Sequence, residues 1–238
     1  MSLHIRGLRK AFDGRTVLDG VDLEVVPGEF VAVLGANGSG KSTALRCVVG
    51  LDRPDAGEIS VGGTGRAAMV FQRIHLVGRR TALDNVCAGA LGRLPLGRSL
   101  SPLLFPRTLR EEAMACLDRV GLADRAAERA GRLSGGQQQR VAIARALCQQ
   151  ATVVLADEPV SALDPSAAEQ VVALLKDLAA GGLAVAAVLH QPDLARRHAD
   201  RVVGLAGGRV AFDAPPAALT DADLTTLYAP MTIREPAR

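Results

Sequence analysis

The chain has 238 residues, 48% of them hydrophobic, with a formal net charge of +3 at pH 7, which suits one α/β domain with at most an inserted subdomain. No stretch approaches the roughly 20 apolar residues of a membrane-spanning helix, and the opening MSLHIRGLRK lacks the apolar core of a secretory signal, so the protein is expected to stay in the cytoplasm. The small charge, with no basic run interleaved with aromatics, argues against nucleic acid as a partner, and the spacing of Cys47, Cys87, Cys116 and Cys148 fits reduced buried thiols better than zinc ligands or disulfides.

Strands are predicted near Leu3 to Leu8, Val17 to Val25 and Phe30 to Leu34, the last a continuous apolar run of buried-strand type. It leads into Gly35-Ala36-Asn37-Gly38-Ser39-Gly40-Lys41-Ser42, which fits G-x-x-x-x-G-K-[ST], and then into helical spacing from Thr43 to Gly50. Strand, glycine loop and helix together turn a pattern into an anion site, because loop amides converge at the positive end of the helix. Lys41 reaches the β and γ phosphates in such a loop, where a unit charge pair about 4 Å apart is worth roughly 4 kcal/mol at an effective dielectric near 20. Ser42 offers a hydroxyl to magnesium.

Two further strands are expected near Glu58 to Val61 and Ala67 to Phe71, followed by Gln72. From Thr81 to about Ala130 the period is helical; Arg107 to Val120 places Leu109, Ala113, Met114, Leu117 and Val120 on one stripe. Between Arg93 and Arg107, RLPLGRSLSPLLFPR has no clean period and reads as a surface loop or a partner surface. Ser134, Gly135 and Gly136 in LSGGQ then precede a helical stretch from Val141 to Gln149. They suit either a helix cap or a second anion nest.

A second buried-strand run, Thr152 to Ala156, ends in Asp157 and Glu158. Adjacent carboxylates at the carboxyl end of a parallel strand lie where open α/β sheets bind ligands; Asp157 suits water-mediated contact with magnesium and Glu158 the positioning of an attacking water. A third such run, Leu183 to Leu189, ends in His190, which on local evidence alone reads as a structural histidine. Strand and helix alternate to about Leu205, so a parallel sheet interrupted by helices is expected. A short helix is predicted from Asp221 to Tyr228.

Taken together, the loop Gly35 to Thr43, the LSGGQ of Leu133 to Gln137 and the Asp157-Glu158 strand resemble the ATP-binding cassette ATPases over almost the whole chain. The resemblance implies an α/β P-loop NTPase (RecA-like) core at about 1–78 and 151–238, with an N-terminal antiparallel β subdomain. An α-helical subdomain carrying the signature motif would be inserted at 79–150. It also implies ATP and Mg2+ as ligands. Phe12, by type alone a core residue, is similar to the adenine-stacking aromatic, and Gln72 to the glutamine of the Q-loop, a magnesium ligand and catalytic residue. Ser134 to Gln137 match the signature, Asp164 the D-loop and His190 the switch histidine. Partners implied are a second copy of the chain, integral membrane permease subunits and, indirectly, a solute-binding protein, with the chain peripheral at the cytoplasmic face of the inner membrane. Within the family, Phe71 to Gly92, Leu155 to Pro165, Leu189 to Leu205 and Gly208 to Leu224 resemble the ATPase subunits of phosphonate importers, and Gln191 replaces the acidic residue usual after the histidine. The loop GANGSGKS and the FDAPP at Phe212 to Pro216 depart from that group.

Overall fold

The computed structural model describes residues 2–62, 65–95 and 105–228. Most of the Pro- and Leu-rich segment between Arg93 and Arg107 lies outside them, as does the polar tail. The strands are β1 (Leu3–Phe12), β2 (Arg15–Val25), β3 (Phe30–Leu34), β4 (Ala56–Val61), β5 (Ala67–Val70), β6 (Val153–Asp157), β7 (Ala184–Val188), β8 (Arg201–Ala206) and β9 (Arg209–Ala214). The helices are α1 (Lys41–Val48), α2 (Ala82–Cys87), α3 (Arg107–Arg119), α4 (Gly135–Leu147), α5 (Pro165–Ala180), α6 (Pro192–His198) and α7 (Asp221–Tyr228).

A three-stranded antiparallel sheet of order β2-β1-β4 faces a six-stranded sheet of order β5-β6-β7-β3-β8-β9. In the larger sheet β5, β6, β7, β3 and β8 run parallel, and β9 closes the edge as an antiparallel hairpin. Strands β3, β6 and β7 are buried along their whole length, as strands covered on both faces must be. Side chains alternate across this sheet, so it contributes to two cores. Val31, Val33, Leu155 and Val188 pack toward the small sheet and α1, whereas Phe30, Leu34, Val154 and Leu189 pack toward the helices.

Among the described residues between β5 and β6 every regular element is helical, apart from a bridge between Thr81 and Arg129. Helix α3 buries Leu109, Ala113, Cys116 and Leu117, with Val120 buried just beyond it. Met114 lies off that face and is 37% exposed. At 100° per residue it sits far from the stripe that Cys116 completes, so the sequence assignment of Met114 is corrected. Phe105, expected in an exposed loop, is buried in the main core. All four cysteines are buried and free.

Candidate nucleotide site

Three neighbouring strand ends build the site. The parallel register sets Val33 beside Val188 and Val188 beside Asp157, so the loop after β3, the carboxylates after β6 and His190 after β7 emerge on one edge. This is the carboxyl edge at which open α/β sheets hold ligands.

The phosphate loop owes its shape to its glycines. Gly38 and Gly40 have φ of 79° and 102°, in the left-handed region that glycine adopts without penalty. A Cβ on Gly40 would stand 2.6 Å from a Leu18 methyl and 2.8 Å from the Val17 carbonyl oxygen. Lys41, the first residue of α1, is only 5% exposed, and its Nζ donates to the carbonyls of Gly35 and Ala36, each at 2.9 Å. Burial lowers its pKa, opposed by the charges of Glu158 and Asp157. Among the described residues the ammonium has no ion pair, which is costly inside a protein and suits a site that receives a polyanion. Ser39 Oγ is likewise buried in the loop with no partner among the described residues.

Ser42 Oγ donates to Asp157 Oδ1 at 2.7 Å. Burial raises the Asp157 pKa, an effect the Ser42 hydrogen bond opposes. Among the described residues no cluster of three His, Cys, Asp or Glu side chains could cage a metal. One hydroxyl and one carboxylate are what magnesium uses when substrate phosphates and water supply the remaining ligands, so the donor set fits that ion.

Glu158 has φ of 49°, a left-handed conformation that costs a non-glycine residue on the order of 1 kcal/mol or more. That backbone turns its carboxylate toward His190, whose Nε2 lies 2.6 Å from Oε1. His190 therefore pairs with the carboxylate instead of filling a purely structural niche. Gln72 Nε2 donates to Ser161 Oγ at 3.3 Å, and Ser161 Oγ donates to the Glu158 carbonyl at 3.2 Å. The segment after β5 is thus tied to the backbone of Glu158, and Gln72 meets Ser161 here instead of the Ser42–Asp157 pair.

The remaining predicted residues stand on other segments of the chain. Ser134 caps α4 in a reciprocal box: its Oγ accepts from the Gln137 N–H at 3.3 Å, and Gln137 Oε1 accepts from the Ser134 N–H at 2.9 Å. A Cβ on Gly135 would meet Leu163 at 3.2 Å and one on Gly136 would meet Ala167 at 3.0 Å, so this turn packs against the segment entering α5. Asp164 caps α5 by accepting the Ala167 N–H at 2.9 Å. Phe12 ends β1 with 42% of its surface exposed, which removes it from the core.

A cleft of about 340 Å³ opens over the phosphate loop and includes Lys41, Ser42, Thr43 and Glu158, but no residue of 134–137. Its far wall is Arg15 to Val17 and Gly207-Gly208, which sequence reasoning missed. Paired glycines are a turn signal, but nothing local says that this turn presses on β2; a Cβ on Gly208 would be 2.5 Å from the Val17 carbonyl oxygen. At the end of α7, burial raises the Tyr228 pKa, an effect the Gly35 backbone N–H opposes.

The ABC transporter family model matches residues 18–161. The phosphonates import ATP-binding protein PhnC of Stutzerimonas stutzeri is 47% identical, covering 95% of this chain and 89% of the relative. The phosphite import ATP-binding protein PxtA of the same organism is 46% identical, covering 94% of this chain and 86% of its own. Among solved structures, the dimeric post-hydrolysis state of the ATP-binding cassette MJ0796, bound to ADP and Pi, superposes with a TM-score of 0.74 at 32% identity, covering 91% of this chain and all of that one, 100%. With the family model spanning more than half its length and these relatives nearly all of it, the chain belongs to the ATP-binding cassette transporter family.

Proposed function

We propose that this chain is the ATP-hydrolysing subunit of an importer for phosphonates or a closely related phosphorus oxyanion. The observation that carries the hydrolytic half is the pairing of Glu158 with His190 beside the phosphate loop. The loop amides and Lys41 would hold the triphosphate, giving a direct counter-charge to a buried ammonium that among the described residues has only carbonyl partners within hydrogen-bond reach. Glu158 would orient the attacking water, with His190 fixing the carboxylate and Gln72 linking the site to the helical segment. Magnesium would be held by Ser42 directly and Asp157 through water, and when bound it neutralises charge on the phosphate oxygens. Phe12 would stack on the base. The substrate half rests on the likeness to the phosphonate and phosphite import proteins, together with Gln191 after the histidine.

The residues of 79–150 would form the helical subdomain that bears on a membrane permease. Val77 and Leu91 are 49% and 37% exposed and line an apolar cleft with Ala88 and Phe105. No helix among the described residues is long and apolar enough to cross a membrane, so attachment would be peripheral, at the cytoplasmic face, through permease subunits served by a solute-binding protein. Purification of the tagged protein from its own cells in mild detergent tests this: an integral membrane protein is expected to accompany it, and the pair Val77→Asp with Leu91→Asp is expected to remove that companion. Recovery with nucleic acid or ribosomes and no membrane protein would replace this reading with a soluble cassette ATPase.

A further inference from the structure

Beside the cleft, Asp13 and Gly14 turn β1 into β2 with φ of 49° and 77°, setting Phe12 opposite Arg15, a cleft residue. Lys10 holds its ammonium 4.9 Å from the centroid of the Phe12 ring. The Lys10 side chain is only 14% exposed, and Nζ donates to Asp55 Oδ1 at 3.0 Å. Asp55 Oδ2 accepts the Ala11 N–H at 2.6 Å. That backbone bond and the Lys10 bond both hold the Asp55 carboxyl below its usual range, so it stays ionised as an anchor. One carboxylate thereby fixes the strand between Lys10 and Phe12 and also the cation over the ring.

A cation on one face of an aromatic ring is attracted by its quadrupole and draws electron density toward that face. The ring loses freedom, and its remaining face becomes a better platform for an electron-rich base. Neither Lys10 nor Phe12 lines the cleft itself, which Phe12 adjoins through its cross-strand partner Arg15, and Lys41 is the ammonium next to the loop. We propose that Lys10, anchored by Asp55, is a positioning residue for the nucleotide base: its ammonium occupies one face of Phe12 and leaves the other to stack on the purine. This rests on the reading of Phe12 as the base-stacking residue.

The test compares dissociation constants of the full-length protein for ATP and for inorganic tripolyphosphate, which has no base. Lys10→Gln is expected to weaken ATP roughly two- to fivefold while tripolyphosphate binding is unmoved. Lys10→Arg, which keeps a cation able to lie on the ring, is expected to restore ATP affinity. In a Phe12→Ala background, Lys10→Gln is expected to have no further effect. If Phe12→Ala leaves ATP affinity unchanged, the base-stacking reading fails and takes this inference with it. If Phe12→Ala weakens ATP while Lys10→Gln does not, or weakens tripolyphosphate equally, or adds fully to Phe12→Ala, the role of Lys10 is overturned and stacking stands. Asp55→Asn frees the ammonium without removing it and serves as a second variant should Lys10→Gln fold poorly; the same ATP-selective loss is expected, and unchanged ATP affinity overturns the proposal.

Discussion

Replacing Glu158 with Gln is expected to lower ATP turnover by roughly 10²-fold or more while ATP still binds. The substitution keeps the size of the side chain and the left-handed backbone that presents it. What it removes is the negative charge that faces His190 and that would orient the attacking water, and phosphoryl transfer depends on positioning and charge more than on covalent chemistry. Lys41, Ser42 and Asp157 are untouched, so the phosphate contacts survive. Nucleotide affinity and turnover are therefore expected to separate in this variant. Turnover within about twofold of wild type would remove Glu158 from its role.

The second large effect concerns how the phosphate loop would combine with the second anion nest proposed at Ser134 to Gly136. The phosphate loop and Ser134 to Gly136 belong to different parts of the subunit, and the cleft over Lys41 includes none of the latter. A second nest has a use if it closes on a nucleotide held by another copy, and a two-fold dimer satisfies both nests at once. Mixed dimers of Lys41→Ala and Ser134→Arg separate the arrangements. With shared sites, both changes on one subunit spoil both sites, whereas one change on each subunit places both lesions in a single site and spares the other. ATP-dependent closure, read by cross-linking, is expected to survive only when the changes are divided. Better closure with both changes on one subunit would overturn the shared arrangement.

Much of the fold was legible because buried parallel strands announce themselves as apolar runs, as Phe30 to Leu34, Val153 to Ala156 and Ala184 to Val188 do. Helix α7 coincides with its predicted span, for Thr220 accepts the Asp223 N–H at 3.1 Å and Asp223 accepts back from the Thr220 N–H at 2.9 Å, a local signal. Met114 was misplaced because its apolar character outweighed its angle on α3. The phosphate loop, the Asp157-Glu158 pair and the signature were readable as motifs because each is contiguous. Sequence does not show what long-range packing adds to them: the turn of Glu158 toward His190, the hairpin at Gly207-Gly208 against Val17, or Asp55 on the Lys10 ammonium. Each of these joins segments whose proximity is set by strand order or by the packing of one sheet on the other, and not by local pattern.

The most direct test of the central claim is uptake of a radiolabelled phosphonate, and of phosphite, by cells that lack this protein and have no second system. Cells carrying the wild-type protein are expected to accumulate the solute, and cells carrying Glu158→Gln are expected to accumulate almost none although the variant still associates with the membrane. Equal uptake with the variant, or undiminished uptake of both solutes in the deletion strain, would contradict an ATPase that drives phosphorus-oxyanion import.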